Sequence, residues 1–167
     1  MKVLRKQANS KSCIICGMDN PLGVKAPFYE MEDNSVVTLF SYRSEHQSYP
    51  GRAHGGMITC MLDELIGRVI WCFEPDKLAV TLDIKVKFRK PVPYDAPLIG
   101  VGSIVKNSSR AYVGQAKIYD ASGTVLAEGE ATYFKMPPEA ITDADMHEEL
   151  DVFIPDDVKE IDLSNLK

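Results

Sequence analysis

A chain of 167 residues, 45% apolar and 26% charged, has the size and composition of one ordinary globular domain with terminal extensions. No apolar run is long enough to cross a bilayer as a helix, and the opening Met1-Lys2-Val3-Leu4-Arg5-Lys6 lacks a secretory apolar region, so the cytoplasm is the expected compartment. The net charge of −5 is unevenly placed: residues 135–167 carry a net of −7 and the rest of the chain +2, which leaves no broad basic face and argues against nucleic-acid binding.

Residues 1–12 are polar, basic and without a clear period, and are expected to be mobile. Next comes Cys13-Ile14-Ile15-Cys16, the spacing of a zinc half-site or a redox pair. A closed zinc site needs four ligands, and no second pair of suitable spacing follows. Cys60 and Cys72 lie in an apolar stretch and read as core residues. Asn20-Pro21-Leu22-Gly23 is a turn, Val24 to Met31 reads as a first strand, Glu32-Asp33-Asn34 as a turn, and Ser35 to Tyr42 as an antiparallel return.

Arg43 to Ala53 is a loop containing His46, Gln47 and Ser48, and it leads into the longest apolar run of the chain. Met57 to Phe73 is free of proline and apolar on almost every side, which predicts a central helix buried all round. Thr59, Asp63, Glu64 and Arg68 are its polar exceptions. Glu64 and Arg68, at i and i+4, are expected to pair near a solvated edge. Thr59 and Asp63 share another face, in line with Gly56 and Gly67. A carboxylate facing a packed interior is costly unless it is paired or working, so Asp63 is either the partner of a core arginine or a functional group. His54-Gly55-Gly56 places free backbone N–H groups at the helix start, where negative charge is favoured.

Leu78 to Arg89 alternates cleanly, with Val80, Leu82, Ile84, Val86 and Phe88 on one face and Thr81, Asp83, Lys85, Lys87 and Arg89 on the other, and predicts a half-buried strand. Leu98 to Lys106 is a strand whose Gly100 and Gly102 suit a bend or bulge. Asn107-Ser108-Ser109-Arg110 is a hairpin loop before a strand from Ala111 to Tyr119. Asp120-Ala121-Ser122-Gly123 is a second hairpin loop before a last strand from Thr124 to Phe134. The acidic tail shows a short helical stretch at Ala144 to Leu150 and apolar Val152-Phe153-Ile154, expected to pack on the domain or a partner. The pattern predicts an α+β fold, one antiparallel sheet wrapped round one helix. Its boundaries are an N-terminal extension with the Cys-x-x-Cys turn (1–23), the main domain (24–134) and an acidic C-terminal tail (135–167).

His-Gly-Gly followed by Met-Leu-Asp, with Asp63 nine residues after His54, resembles the central helix of hotdog-fold acyl-CoA thioesterases of the phenylacetate-pathway and thioesterase-superfamily-member type. The resemblance covers residues ~13 to 134. It implies hydrolysis of an acyl-coenzyme A thioester without metal or organic cofactor. It also implies a homodimer or dimer of dimers with sites between subunits, and no nucleic-acid or membrane partner. Asp63 would activate water or attack the thioester carbonyl, and the residues leave both routes open. The N–H of Gly55 would stabilise charge on the carbonyl oxygen, His54 would shape the entry turn, and Gly56 would line the substrate. Thr81 matches the strand Thr or Ser that lines the site in relatives, against the plainer reading of an outward-facing strand threonine. His46 is either a substrate contact or a surface residue.

Asn107, Ser108, Ser109 and Arg110 resemble the coenzyme A-binding loop, with Arg110 offering a forked donor for phosphate. Lys85, Lys87, Arg89, Lys90 and Lys106 are further cationic candidates, and Phe88 lies on the substrate strand. One position departs from the family: six residues before the histidine, where relatives carry Asn or Gln, stands Ser48, with Gln47 just upstream. The Cys13–Gly23 segment resembles a leader of bacterial relatives in which it is a packed turn, not a metal centre. A hotdog hydratase or dehydratase, and a non-catalytic acyl-CoA-binding or regulatory protein, are the alternatives. Asp63 at thioesterase spacing favours hydrolysis.

Overall fold

A computed structural model of the chain describes residues 1–166. Seven strands, β1 (Val3–Lys6), β2 (Tyr29–Met31), β3 (Val36–Phe40), β4 (Leu78–Phe88), β5 (Leu98–Asn107), β6 (Ala111–Asp120) and β7 (Val125–Met136), form one antiparallel sheet in the order β1-β2-β3-β5-β6-β7-β4. Helix α1 (Gly55–Val69) packs on β3 to β7, and the short α2 (Met146–Leu150) lies in the acidic tail. Among the described residues, no helix is long and apolar enough to cross a membrane.

The sheet can enclose α1 because it lacks side chains where the helix comes closest. A Cβ on Gly100 would lie 2.6 Å from Leu65 Cδ1 and 2.8 Å from Thr38 Cγ2, and one on Gly114 would lie 2.6 Å from Ile66 Cγ2. Gly100 and Gly102 are therefore clearance for the helix, not the bend expected from the sequence. The bulge of β5 falls later, between Ile104 and Lys106. Met61, Leu62, Leu65, Ile66 and Val69 fill the space so created and are sealed from solvent. The helix stops short of Phe73, which is exposed. Its last turn tightens to a 3-10 turn over Ile70–Cys72 before Pro75, which disfavours helical geometry in the residue preceding it.

The N-terminus is not mobile. β1 pairs with β2, and the Arg5 guanidinium grips Glu30 through two bonds of 2.8 Å. The tail returns along the other side of β1, with Val3 N–H donating to Lys159 O at 2.8 Å and the Met1 amino group to Ile161 O at 2.7 Å. Ile161, with Val158 and Leu163 beside it, packs against Tyr29, Met31 and Val37; of the expected Val152-Phe153-Ile154 run, half-buried Val152 pairs with Asn9, while Phe153 and Ile154 are exposed. The first expected strand is short, because only Tyr29–Met31 joins the sheet and Lys25 stands at φ 59° in the left-handed region.

β4 breaks its own alternation. Thr81 pairs with Tyr133 and Asp83 with Thr132, leaving Leu82 as an extra, unpaired residue, 60% exposed. The bulge shifts the side-chain phase, so Thr81 shares the helix-facing side with Ala79, Ile84 and Val86, whereas unbroken alternation would turn it outward.

The sealed contact at Gly100 predicts that Gly100→Ala lowers stability by about 1–3 kcal/mol through overpacking, read as a lower midpoint in chemical denaturation. An unchanged midpoint would mean that Leu65 and Thr38 have room to move aside.

Candidate active site

The polar residues of α1 divide between two faces. Arg68, only 4% exposed, is not at a solvated edge. Its Nε donates to Glu64 Oε1 at 2.7 Å, its Nη1 to Ala8 O at 3.0 Å, and its guanidinium lies 4.3 Å from the centre of the Phe28 ring. Asp63 is not the partner of that arginine. Its Oδ1 accepts from Thr81 Oγ1 at 2.9 Å and lies 2.5 Å from the Tyr133 hydroxyl, which also sits 2.6 Å from Asp63 O. Burial, and then the bond to Asp63, pushes the Tyr133 phenol far above its ordinary value, so it remains a donor. Both bonds converge on Oδ1, and Oδ2 has no partner among the described residues.

Tyr133 was not singled out in the sequence. The available signal was its place two residues after Ala131 and four after Gly129, on the inward-facing period of β7. The ring lies across the helix at Gly67, where a Cβ would meet Tyr133 Cε1 in ordinary contact at 3.4 Å. Tyr112 stacks on it with ring centres 5.0 Å apart and donates to Gly67 O at 3.1 Å. Asp63, Gly67, Trp71, Val80, Thr81 and Tyr133 line a cleft of about 330 Å³. A larger cavity of about 570 Å³ shares Trp71 and Leu78 with it and extends to Arg5, Lys6 and Leu150. It has no Asp63 or Thr81, so the smaller cleft is the candidate site.

The start of α1 forms a second cluster. The His54 N–H donates to His46 O at 2.8 Å, and the Gly56 N–H to His54 Nδ1 at 2.8 Å. Gly56 is therefore occupied, and Gly55 and Met57 keep the free donors of the first turn. Phe88 closes against Gly55, its Cζ 3.5 Å from where a Cβ would stand. Gln47 accepts from the Tyr94 hydroxyl at 3.0 Å, while Ser48 is exposed beside it and its N–H donates to Arg52 O. His46 is neither a substrate contact nor a surface residue. It is buried, its Nδ1 accepts from the Arg43 N–H, and its Nε2 lies 2.7 Å from Leu22 O, so its proton belongs on Nε2.

The Asn107–Arg110 hairpin stands at the Asp63 end, where the Lys135 N–H donates to Arg110 O and Lys135 pairs across to Ala79, two residues from Thr81. Asn107 donates to Glu74 at 3.0 Å, Ser108 Oγ to Ala111 O at 2.7 Å, and Lys135 Nζ to Ser108 O and to Glu74. Lys135, then Asn107, holds the Glu74 carboxyl below its usual range. Ser109 and Arg110 are exposed at the tip. The structure thus brings together Asp63 with Thr81, and Gly55 with His54, Gly56 and Phe88. The two groups are eight residues apart on one helix, about 12 Å along its axis.

Residues 50–127 match the thioesterase superfamily. The acyl-coenzyme A thioesterase THEM4 of Mus musculus is 26% identical over 115 residues, 68% of this chain and 49% of THEM4, so the chain spans about half the length of that relative. Among solved structures, a thioesterase superfamily protein superposes with a TM-score of 0.68 at 24% identity, over 73% of this chain and 59% of its own. Zebra fish thioesterase superfamily member 2 gives 0.62 at 19%, over 71% and 86%. A hypothetical thioesterase of Streptococcus pneumoniae, crystallised with coenzyme A, gives 0.60 at 24%, over 66% and 87%. The chain has the hotdog fold of these structures, and its residues 50–127 are similar in sequence to the thioesterase superfamily.

Proposed function

We propose that this protein hydrolyses acyl-coenzyme A thioesters. The observation that carries the reading is the Asp63 carboxylate, fixed through Oδ1 by Thr81 and Tyr133 on the wall of an open cleft, with Oδ2 free. The acyl-coenzyme A thioesterase relatives, and the neighbour from Streptococcus mutans bound to acetyl CoA, support the substrate class. Oδ2 takes the proton of an attacking water, or itself adds to the thioester carbonyl; both routes use the same oxygen. In the water route the carbon–oxygen bond forms, the carbonyl oxygen gains charge, the carbon–sulfur bond breaks, and the proton on Asp63 leaves with the coenzyme A thiolate.

The charged carbonyl oxygen needs a donor that the same chain's Gly55, about 12 Å away, cannot supply to a group beside Asp63. A second copy resolves this. β4 ends the sheet, its outer edge is unpaired among the described residues, and Leu82 and Phe88 are exposed on it. Two such edges paired antiparallel, with Thr81 facing Phe88 of the other copy, set the Gly55 of one copy towards the Asp63 of the other. The working unit in this reading is a homodimer, or a dimer of dimers, with its sites at the junction. Arg110, exposed on the neighbouring hairpin, is assigned to the coenzyme A phosphates.

Free-thiol release should be measured across short, medium, long and aromatic acyl-CoAs. Asp63→Asn is expected to keep the fold and lose about 10²- to 10⁴-fold in kcat. Tyr133→Phe is expected to lose about ten- to hundredfold. Near-normal turnover by Asp63→Asn would remove it as the key carboxylate, and tight binding without turnover by wild type would make the protein an acyl-CoA carrier.

Arg110→Ala is expected to raise KM for acyl-CoA about two- to fivefold and leave a short thioester lacking the nucleotide unaffected. An equal change on both substrates would reject the phosphate assignment.

Specific activity should fall on dilution in step with dissociation of the dimer, followed by light scattering. A fully active monomer would contradict the shared site.

A further inference from the structure

We propose that Cys13, Cys16 and Glu64 form an open, three-ligand site for a thiophilic divalent cation of the Zn²⁺ class, which joins the N-terminal segment to α1. Cys13 Sγ, Cys16 Sγ and a Glu64 carboxylate oxygen all lie within 4.8 Å of one another. Cys13 Sγ is 3.7 Å from Glu64 Oε2. With a metal–sulfur bond of about 2.3 Å and a metal–oxygen bond of about 2.1 Å, a sulfur and an oxygen at tetrahedral corners stand about 3.6 Å apart, so Cys13 and Glu64 are already close to that separation and Cys16 Sγ lies within 4.8 Å of both.

The turn is shaped to hold the sulfurs. Cys13 Sγ accepts from the N–H of Ile15 at 3.3 Å and of Cys16 at 3.5 Å, an arrangement that steadies a thiolate. The Gly17 N–H donates to Cys13 O at 2.9 Å, closing the turn so tightly that a Cβ on Gly17 would fall 2.3 Å from that oxygen. Ser10 Oγ accepts from the Cys13 N–H at 3.2 Å and lies 3.1 Å from Cys16 Sγ, and Asn9 Nδ2 donates to Cys16 O at 2.7 Å. Arg68 engages Glu64 through Oε1 and leaves Oε2 facing the sulfurs. Charge also balances. Two thiolates and one carboxylate offset the divalent cation and the buried guanidinium, with two protons released on binding. Three protein ligands leave the fourth position to water, and thiolates select zinc-like ions over magnesium or calcium.

The sequence supplied only the cysteine pair and lacked a third ligand. Glu64 was hidden by its expected pairing with Arg68, which uses one of its two oxygens. Glu64 also borders the cleft that holds Asp63, but its carboxylate engages Arg68 and faces Cys13, whereas that of Asp63 is held by Thr81 and Tyr133.

The test is titration of the reduced, metal-free full chain with Co²⁺, followed by displacement with Zn²⁺. One Co²⁺ per chain is expected, with a thiolate charge-transfer band and the intense visible bands of a tetrahedral site, all bleached by Zn²⁺. Cys13→Ser and Cys16→Ser should each abolish the band, and Cys60→Ser and Cys72→Ser should retain it. Glu64→Gln keeps a hydrogen-bond partner for Arg68 and should weaken binding on the order of 10- to 100-fold. Circular dichroism of each variant checks that the fold is intact. No charge-transfer band in wild type, a band that survives Cys13→Ser, or full titration of Cys13 and Cys16 by a disulfide reagent in excess Zn²⁺ would overturn the proposal.

Discussion

A helix enclosed by a single sheet has little water available to its polar side chains, so each must be answered by the protein, at a cost of several kcal/mol for a buried charge left alone. The structure meets this demand on two faces of α1. On one, burial opposes the charge on Arg68, while Glu64 and the surrounding acceptors outweigh it. Gln7 joins that network by donating to Glu30 and to Arg68 O, so the N-terminal segment is held by the needs of the helix it covers. On the other face, Asp63 is answered by two hydroxyls on one oxygen and by the open cleft on the other.

The Asp63 face depends on a single extra residue. Thr81 belongs by simple alternation to the outer side of β4, and the bulge at Leu82 turns it inward while Ile84 and Val86 keep their places against the core. Bulges are often found beside active sites because they re-aim one side chain without reversing the rest of a strand. β7 needs no such device, since its inward period already carries Gly129 and Ala131, small enough for the helix, and then Tyr133.

The architecture was legible where the hydrophobic period was long: the central helix and β4 to β7 follow the apolar pattern within a few residues. The N-terminus escaped because β1 is an edge strand of four residues, Val-Leu-Arg-Lys, too short and too charged to show a period; its order comes from Glu30 and the returning tail. Asp63 was legible because an acid in an apolar run is costly. The orientation of Thr81 was not, because a bulge leaves no mark in a pattern of alternating types. His46 looked like a surface residue since no local signal reveals that Leu22 O and the Arg43 N–H converge on its ring. The residues alone indicated a helix start whose free N–H groups favour negative charge; family likeness added the expectation that Gly55 serves a thioester carbonyl oxygen.

The unpaired margin of β4 has a further consequence. Eleven residues of strand, with Leu82 and Phe88 uncovered, are a template for any extended chain, not only for a second copy in the right register. Lys85 and Lys87, exposed along the same strand, give it the charge by which natural edges resist indiscriminate pairing. Neutralising them would leave the cleft and the core untouched yet expose the protein to off-register association and aggregation. In the proposed dimer, colloidal behaviour and assembly would rest on one strand, so that selection on either constrains the other.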